Sequence, residues 1–176
     1  MRDSVDEVRA RARERDSDGR GRVLDGQLST RQLDELHDML RGLIVERKSI
    51  EEGMMFCLDH SEAADEIVDA LVESLTLTAA ESPVEKKIAR LYLVSDILHN
   101  ASAAYPKTAR FRTNLEKRLP TVMASCREAI LTLGRISAES MKQRVTSVLD
   151  VWDSWSLYAP HSLLACRTAF SGKGAS

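Results

Sequence analysis

The polar residues that stand out chemically sit inside the most apolar stretch of the chain. In Leu91-Tyr-Leu-Val-Ser-Asp-Ile-Leu-His-Asn100, the residues Tyr92, Asp96 and Asn100 recur every four positions and fall on one stripe of a helix. A carboxylate among so many aliphatic neighbours is costly unless it is hydrogen-bonded or borders a groove. Two roles follow: Asp96 belongs to a structural network, such as the cap of a neighbouring helix, or it faces a binding groove. A second polar group punctuates Met141-Lys-Gln-Arg-Val-Thr-Ser-Val-Leu-Asp-Val-Trp152, where Val145, Val148, Leu149 and Trp152 make a core face and Lys142 and Arg144 lie toward its N-terminal side. Those bases read either as solvated helix charges or as an anion site.

No motif points to catalysis, and the chain reads as a non-enzyme with no cofactor. GxSxG, P-loop, GxGxxG and HExxH patterns are absent. The histidines His37, His60, His99 and His161 fall on different helices or their ends, and none sits in a metal-ligand spacing. Cys57, Cys126 and Cys166 are odd in number and lack a CxxC pair, so they read as small buried hydrophobes in a reducing compartment.

The elements that must position these residues are helices. Of 176 residues, 43% are hydrophobic, enough for a core, while 5% are aromatic and prolines and glycines are few, which favours an all-α domain over a sandwich or barrel. No apolar run is long enough for a transmembrane helix, and the N-terminus is too charged for a signal peptide. The Ser29/Gln32 pair is a capping box ahead of a helix that Gly42 should stop. Further helices are expected over about 47–59, 62–78, 83–100, 107–118, 119–133 (stopped by Gly134), 140–158 (with Ser137 as N-cap) and 161–170. The fourth follows the strongest start signal, Ser82-Pro-Val-Glu85. It is apolar nearly all round and should be central.

Residues 1–26 carry seven Arg against seven Asp/Glu with few aliphatics, and read as a mobile, mixed-charge tail in which Val5–Arg15 could form a fraying helix. Residues 27–171 form the domain and 172–176 a second tail, so the chain looks like one module of a longer protein. The net charge of −2 conceals a polarity along the sequence: residues 34–73 sum to −9 and residues 86–144 to +8. The basic half could hold an acidic or phosphorylated partner.

The phrase Lys87-Ile-Ala-Arg-Leu-Tyr-Leu-Val-Ser-Asp-Ile-Leu-His-Asn100, followed by Lys142-Gln-Arg-Val and Val-Trp152, resembles the CID family, domains that interact with the C-terminal domain of RNA polymerase II. Arg41-Gly-Leu, Glu46-Arg-Lys-Ser-Ile50, Phe56-Cys-Leu-Asp-His60 and Phe170 extend the likeness toward the spliceosome-associated SURP-motif, SR-related subfamily, over roughly Leu28 to Phe170. The resemblance implies an eight-helix right-handed superhelical array, related to VHS and ENTH domains. It also implies a groove between the second, fourth and seventh helices for the heptad Tyr-Ser-Pro-Thr-Ser-Pro-Ser, phosphorylated on particular serines and turned through a β-turn.

By that likeness, Tyr92, Ser95, Asp96 and Asn100 are the peptide-binding candidates. Several relatives carry the carboxylate at the position of Ser95. Lys142, Arg144 and Ser147 are the phosphate-binding candidates, Ser147 standing where several relatives have an arginine. The implied partners are phosphorylated heptad repeats of RNA polymerase II and, through a parent protein, spliceosomal factors, in the nucleus and with no membrane. The alternatives are a VHS/ENTH-like trafficking or lipid-binding module, and RNA binding by the basic stretch.

Overall fold

In a computed structural model, residues 26–101 and 108–172 are described. They form eight α-helices and no strand: α1 (Thr30–Gly42), α2 (Arg47–Asp59), α3 (Ala64–Thr76, entered through a 3-10 turn at Ser61–Ala63), α4 (Val84–Ala101), α5 (Ala109–Glu116), α6 (Leu119–Leu131), α7 (Arg135–Ser154) and α8 (Pro160–Ser171). Of the predicted tails at 1–26 and 172–176, all residues but Gly26 and Gly172 lie outside the described residues, as do the fraying helix within the first and the expected fifth-helix start at Lys107.

α4 is the axle. It packs on α2, α3, α5, α6 and α7, and twelve of its residues are buried. Two of those twelve are cations. Lys87, 1% exposed, donates to the carbonyls of Leu75 (2.6 Å) and Leu77 and to Ser125 Oγ (3.0 Å). Its ammonium thereby satisfies carbonyls that the end of α3 leaves unpaired and ties them to α6. Arg90 donates to Leu40 O (3.1 Å), Ser74 O (2.7 Å) and Ser82 Oγ (2.9 Å), joining the ends of α1 and α3 to the start of α4. Burial pushes both pKa values down. These bases are internal struts and are removed from the surface charge of the basic half.

Gly53 on α2 permits close packing against α1 and α4. A Cβ there would meet Met39 Sδ at 3.1 Å and Leu93 Cδ1 at 3.3 Å. The Ser29/Gln32 capping box forms as expected. Cys57, Cys126 and Cys166 are buried and unbridged; burial raises their thiols to about 12, 11 and 11.

The seventh helix departs from expectation at both ends. It begins at Arg135, with Gly134 as its extended N-cap (ψ 154°) and Gly134 O accepting from Ala138 N at 2.9 Å. Gly134 opens α7, α6 having already ended at Leu131, and Ser137 lies inside the helix. The extra turn leaves no periodic signal because its large apolar residue, Ile136, is 88% exposed and breaks the amphipathic pattern. α7 ends at Ser154, before Tyr158, in a Schellman turn. Leu157 N bonds Trp152 O (3.0 Å) and Ser156 N bonds Asp153 O (2.9 Å), with Ser156 in the left-handed region at φ 50°.

The charge polarity of the sequence folds back on itself. Asp65 on α3 accepts from Arg110 and Asn114 of α5, and Asp69 pairs with Arg118 just before α6.

Candidate peptide-binding face

The Tyr92/Asp96/Asn100 stripe of α4 surfaces between α2 and α7. Tyr92 is half-buried, while Asp96 and Asn100 are exposed. Asn100 Nδ2 donates to Asp96 O (2.8 Å) and to Met54 Sδ of α2 (3.0 Å), which fixes the amide at the α2 edge. Partial burial raises the pKa of Asp96, and the charges of His99 and of Arg47, the first residue of α2, pull it back down. Asp96 is therefore a carboxylate whose desolvation is only partly compensated within the fold. Such a group favours an incoming N–H or O–H donor.

α7 closes the other side through two tryptophans. Trp152 is fully buried, and its Nε1–H donates to Ser95 Oγ at 3.0 Å. Trp155, 40% exposed, lays its ring on His99 with centroids 4.3 Å apart and planes tilted 43°. Ser95 is 8% exposed and sits beneath this face, holding the indole. Tyr92, Asp96 and Asn100 lie on the face.

The phosphate candidates are divided by α7. Arg144, Val148, Val151 and Trp155 follow one stripe, whose C-terminal end meets α4 through the Trp155–His99 contact. Lys142 lies on the opposite flank, and it lines with Ser147, one turn beyond Arg144, a cleft of about 930 Å³ between α6, α7 and α8. Lys87 and Arg90, bases on α4 within reach by sequence, are consumed in the core.

The CID domain family model matches residues 31–165 of this sequence. The chain belongs to the CID family. It is 45% identical over 150 residues to Protein RRC1 and 43% identical over 155 residues to Protein RRC1-like, both from Arabidopsis thaliana. The matches cover 85% and 86% of this chain but 16% of each relative, so the chain spans about one-sixth of their length. Among solved structures, the yeast Nrd1 CID in complex with Sen1 NIM1 matches with a TM-score of 0.55 at 20% identity, covering 80% of this chain and 95% of that one. The all-α CID fold expected from the sequence is thus the fold observed, and it is a protein-interaction fold.

Within this CID, sequence reasoning missed His99, Trp155 and Met54 as components of the face. A signal existed for Trp155, which stands one turn beyond Trp152 and extends the α7 stripe past its core positions. Met54 had none, because only the crossing of α2 over α4 brings it to Asn100; Arg47 is legible as a base on a helix facing α4, and that crossing sets its charge beside Asp96.

Proposed function

We propose that this domain is a non-enzymatic module that binds phosphorylated heptad repeats of the RNA polymerase II C-terminal domain, within a nuclear protein that links pre-mRNA processing to transcription. The observation that carries the reading is Asp96: a partly desolvated carboxylate on the outward stripe of the central helix, framed by Arg47, Asn100 and the His99/Trp155 stack. A peptide hydroxyl or backbone N–H supplies the donor that this carboxylate lacks, and the aromatic stack gives proline and tyrosine rings an apolar surface. Arg144 stands eleven residues before Trp155 on the same stripe, about 16 Å up the helix axis. An extended peptide covers that distance in about five residues, less than one heptad, so a single repeat can run from the Trp155–His99 stack beside Asp96 to a phosphate at Arg144. Family membership supports the ligand class, and the Nrd1 CID, which shares the fold, is solved in complex with Sen1 NIM1.

RNA or lipid binding by the basic stretch is less favoured, because Arg110 and Arg118 are paired with acids of α3 and Lys87 and Arg90 are internal. The test is titration with two-repeat heptad peptides, unmodified and singly phosphorylated. Micromolar binding of at least one phosphorylated form, weakened by Asp96→Asn, is expected. Absence of binding by every form refutes the reading.

A further inference from the structure

We propose that the cleft between α6, α7 and α8 is a second peptide subsite, which takes a phosphorylated segment of the same repetitive tail after it has crossed α7. The inference rests on the heptad reading above.

The cleft has a volume of about 930 Å³, ample for several peptide residues. Ile130, Leu131 and Phe170 give it an apolar lining, and Leu131 is 61% exposed. Two bases approach from opposite walls, Arg127 on α6 and Lys142 on α7, with the hydroxyls of Thr146 and Ser147 lining the same α7 wall. Arg127 is held in place: its guanidinium packs over Gly172 at the end of α8, so closely that a Cβ on that left-handed glycine would collide with it. Of the two acids in the lining, Asp150 is neutralised by Arg167 at 2.8 Å, which leaves Glu139 one turn from Lys142. Paired bases, hydroxyl donors and an apolar floor suit a phosphorylated, hydroxyl- and proline-rich peptide, and charge complementarity selects it over an acid-free one.

The spacing also fits. Phosphates on equivalent serines of adjacent heptads lie about 23 Å apart in an extended chain, and a helix with its side chains is about 10 Å across. One phosphate can therefore rest on the Arg144 flank while the next reaches Lys142 and Arg127. Both contacts on one tail raise affinity through effective concentration.

Backbone amide shifts of the full chain, recorded against one-repeat and three-repeat peptides phosphorylated on the same serine of each heptad, test this. Two clusters of shifts are expected with the three-repeat peptide, one around Asp96 and Asn100 and one around Arg127, Thr146 and Phe170, with affinity about tenfold above that of one repeat. Lys142→Glu, and separately Arg127→Gln, should abolish the second cluster and the length gain while leaving the first cluster. Shifts confined to the α4 face, or a length gain unaffected by both variants, overturn the second subsite and leave the heptad reading standing. Shifts confined to the cleft uphold the subsite and overturn the α4 face as the heptad site. An unmodified three-repeat peptide that shifts the cleft equally overturns its assignment to phosphate, and no shift with any peptide overturns both proposals.

Discussion

Ser95 and Asp96 are adjacent in sequence, yet their substitution should have opposite consequences. Ser95→Ala deletes the acceptor of the Trp152 indole N–H, a 3.0 Å bond at a site where the serine is nearly buried and the tryptophan fully so. No water can replace the lost partner, so the cost is that of a buried unpaired donor, about 2 kcal/mol. In a domain of this size that lowers Tm by about 6 °C. Peptide affinity of the folded protein should change less than about twofold, because Ser95 lies beneath the face. Asp96→Asn keeps the shape and removes the charge. Burial holds the Asp96 carboxyl above its ordinary value, so the folded state binds that proton more tightly than the unfolded state does. The resulting stability is present at low pH and is lost as pH rises through the folded value. The amide escapes that loss, so at pH 7 the variant should be as stable as the native chain or slightly more so. Its peptide affinity should fall about five- to tenfold, the worth of one exposed charge-assisted contact of about 1–1.5 kcal/mol. Thermal melts from pH 3 to 7 and fluorescence titrations measure both quantities. If Ser95→Ala melts within a degree of the native protein, or Asp96→Asn unfolds it, the division between core and face is wrong.

Three further outcomes are expected. Arg144→Ala should erase most of the difference in affinity between phosphorylated and unmodified one-repeat peptides, and raising salt should shrink the same difference in the native protein; an unchanged difference places the phosphate elsewhere. Ser156→Gly relieves a left-handed serine at φ 50° and should raise stability by about 1 kcal/mol, read as a Tm gain of about 3 °C. A chain beginning at Gly26 should melt within a few degrees of the full one, because residues 1–25 lack a core pattern while Leu28, buried and bonded through its N–H to Glu66 at 2.8 Å, is retained; a large loss of stability would show that the removed residues pack on the domain.

Periodicity revealed eight helices because each buries one regular face, apart from the first turn of α7 and from α4, which is covered on most sides and was marked by its start signal. It placed Asp96 with Tyr92 and Asn100 because positions four apart on one helix must share a stripe. Properties that depend on how helices cross were not legible. The sequence shows a basic block from Lys86 to Arg144, but nothing in the block says that Lys87 and Arg90 turn inward to α3 carbonyls. Nor does it say that Arg110 and Arg118 meet the acids of α3. Lys142 and Arg144 are two residues apart and look like one cluster; a rotation of about 200° around the helix puts them on opposite flanks.

The order Ser95-Asp96 is itself a structural decision. One position on α4 is a rotation of about 100°, enough to carry a side chain from the Trp152 contact to the outward stripe. With the hydroxyl at the inward position, a neutral group accepts the indole N–H and no charge is buried. The carboxylate is then free to lie beside Arg47 and Asn100, on the α2 side of the face. The reverse order would bury the acid against Trp152 and leave a hydroxyl outside, moving the negative charge toward α7 and away from Arg47. The position of the acid across the face therefore follows from which of two neighbouring residues α4 turns toward the indole. A peptide donor that meets it should be registered closer to α2 than to the Arg144 flank, and under the proposed heptad reading the distance between those two contacts should set which serine of a heptad can present its phosphate to α7.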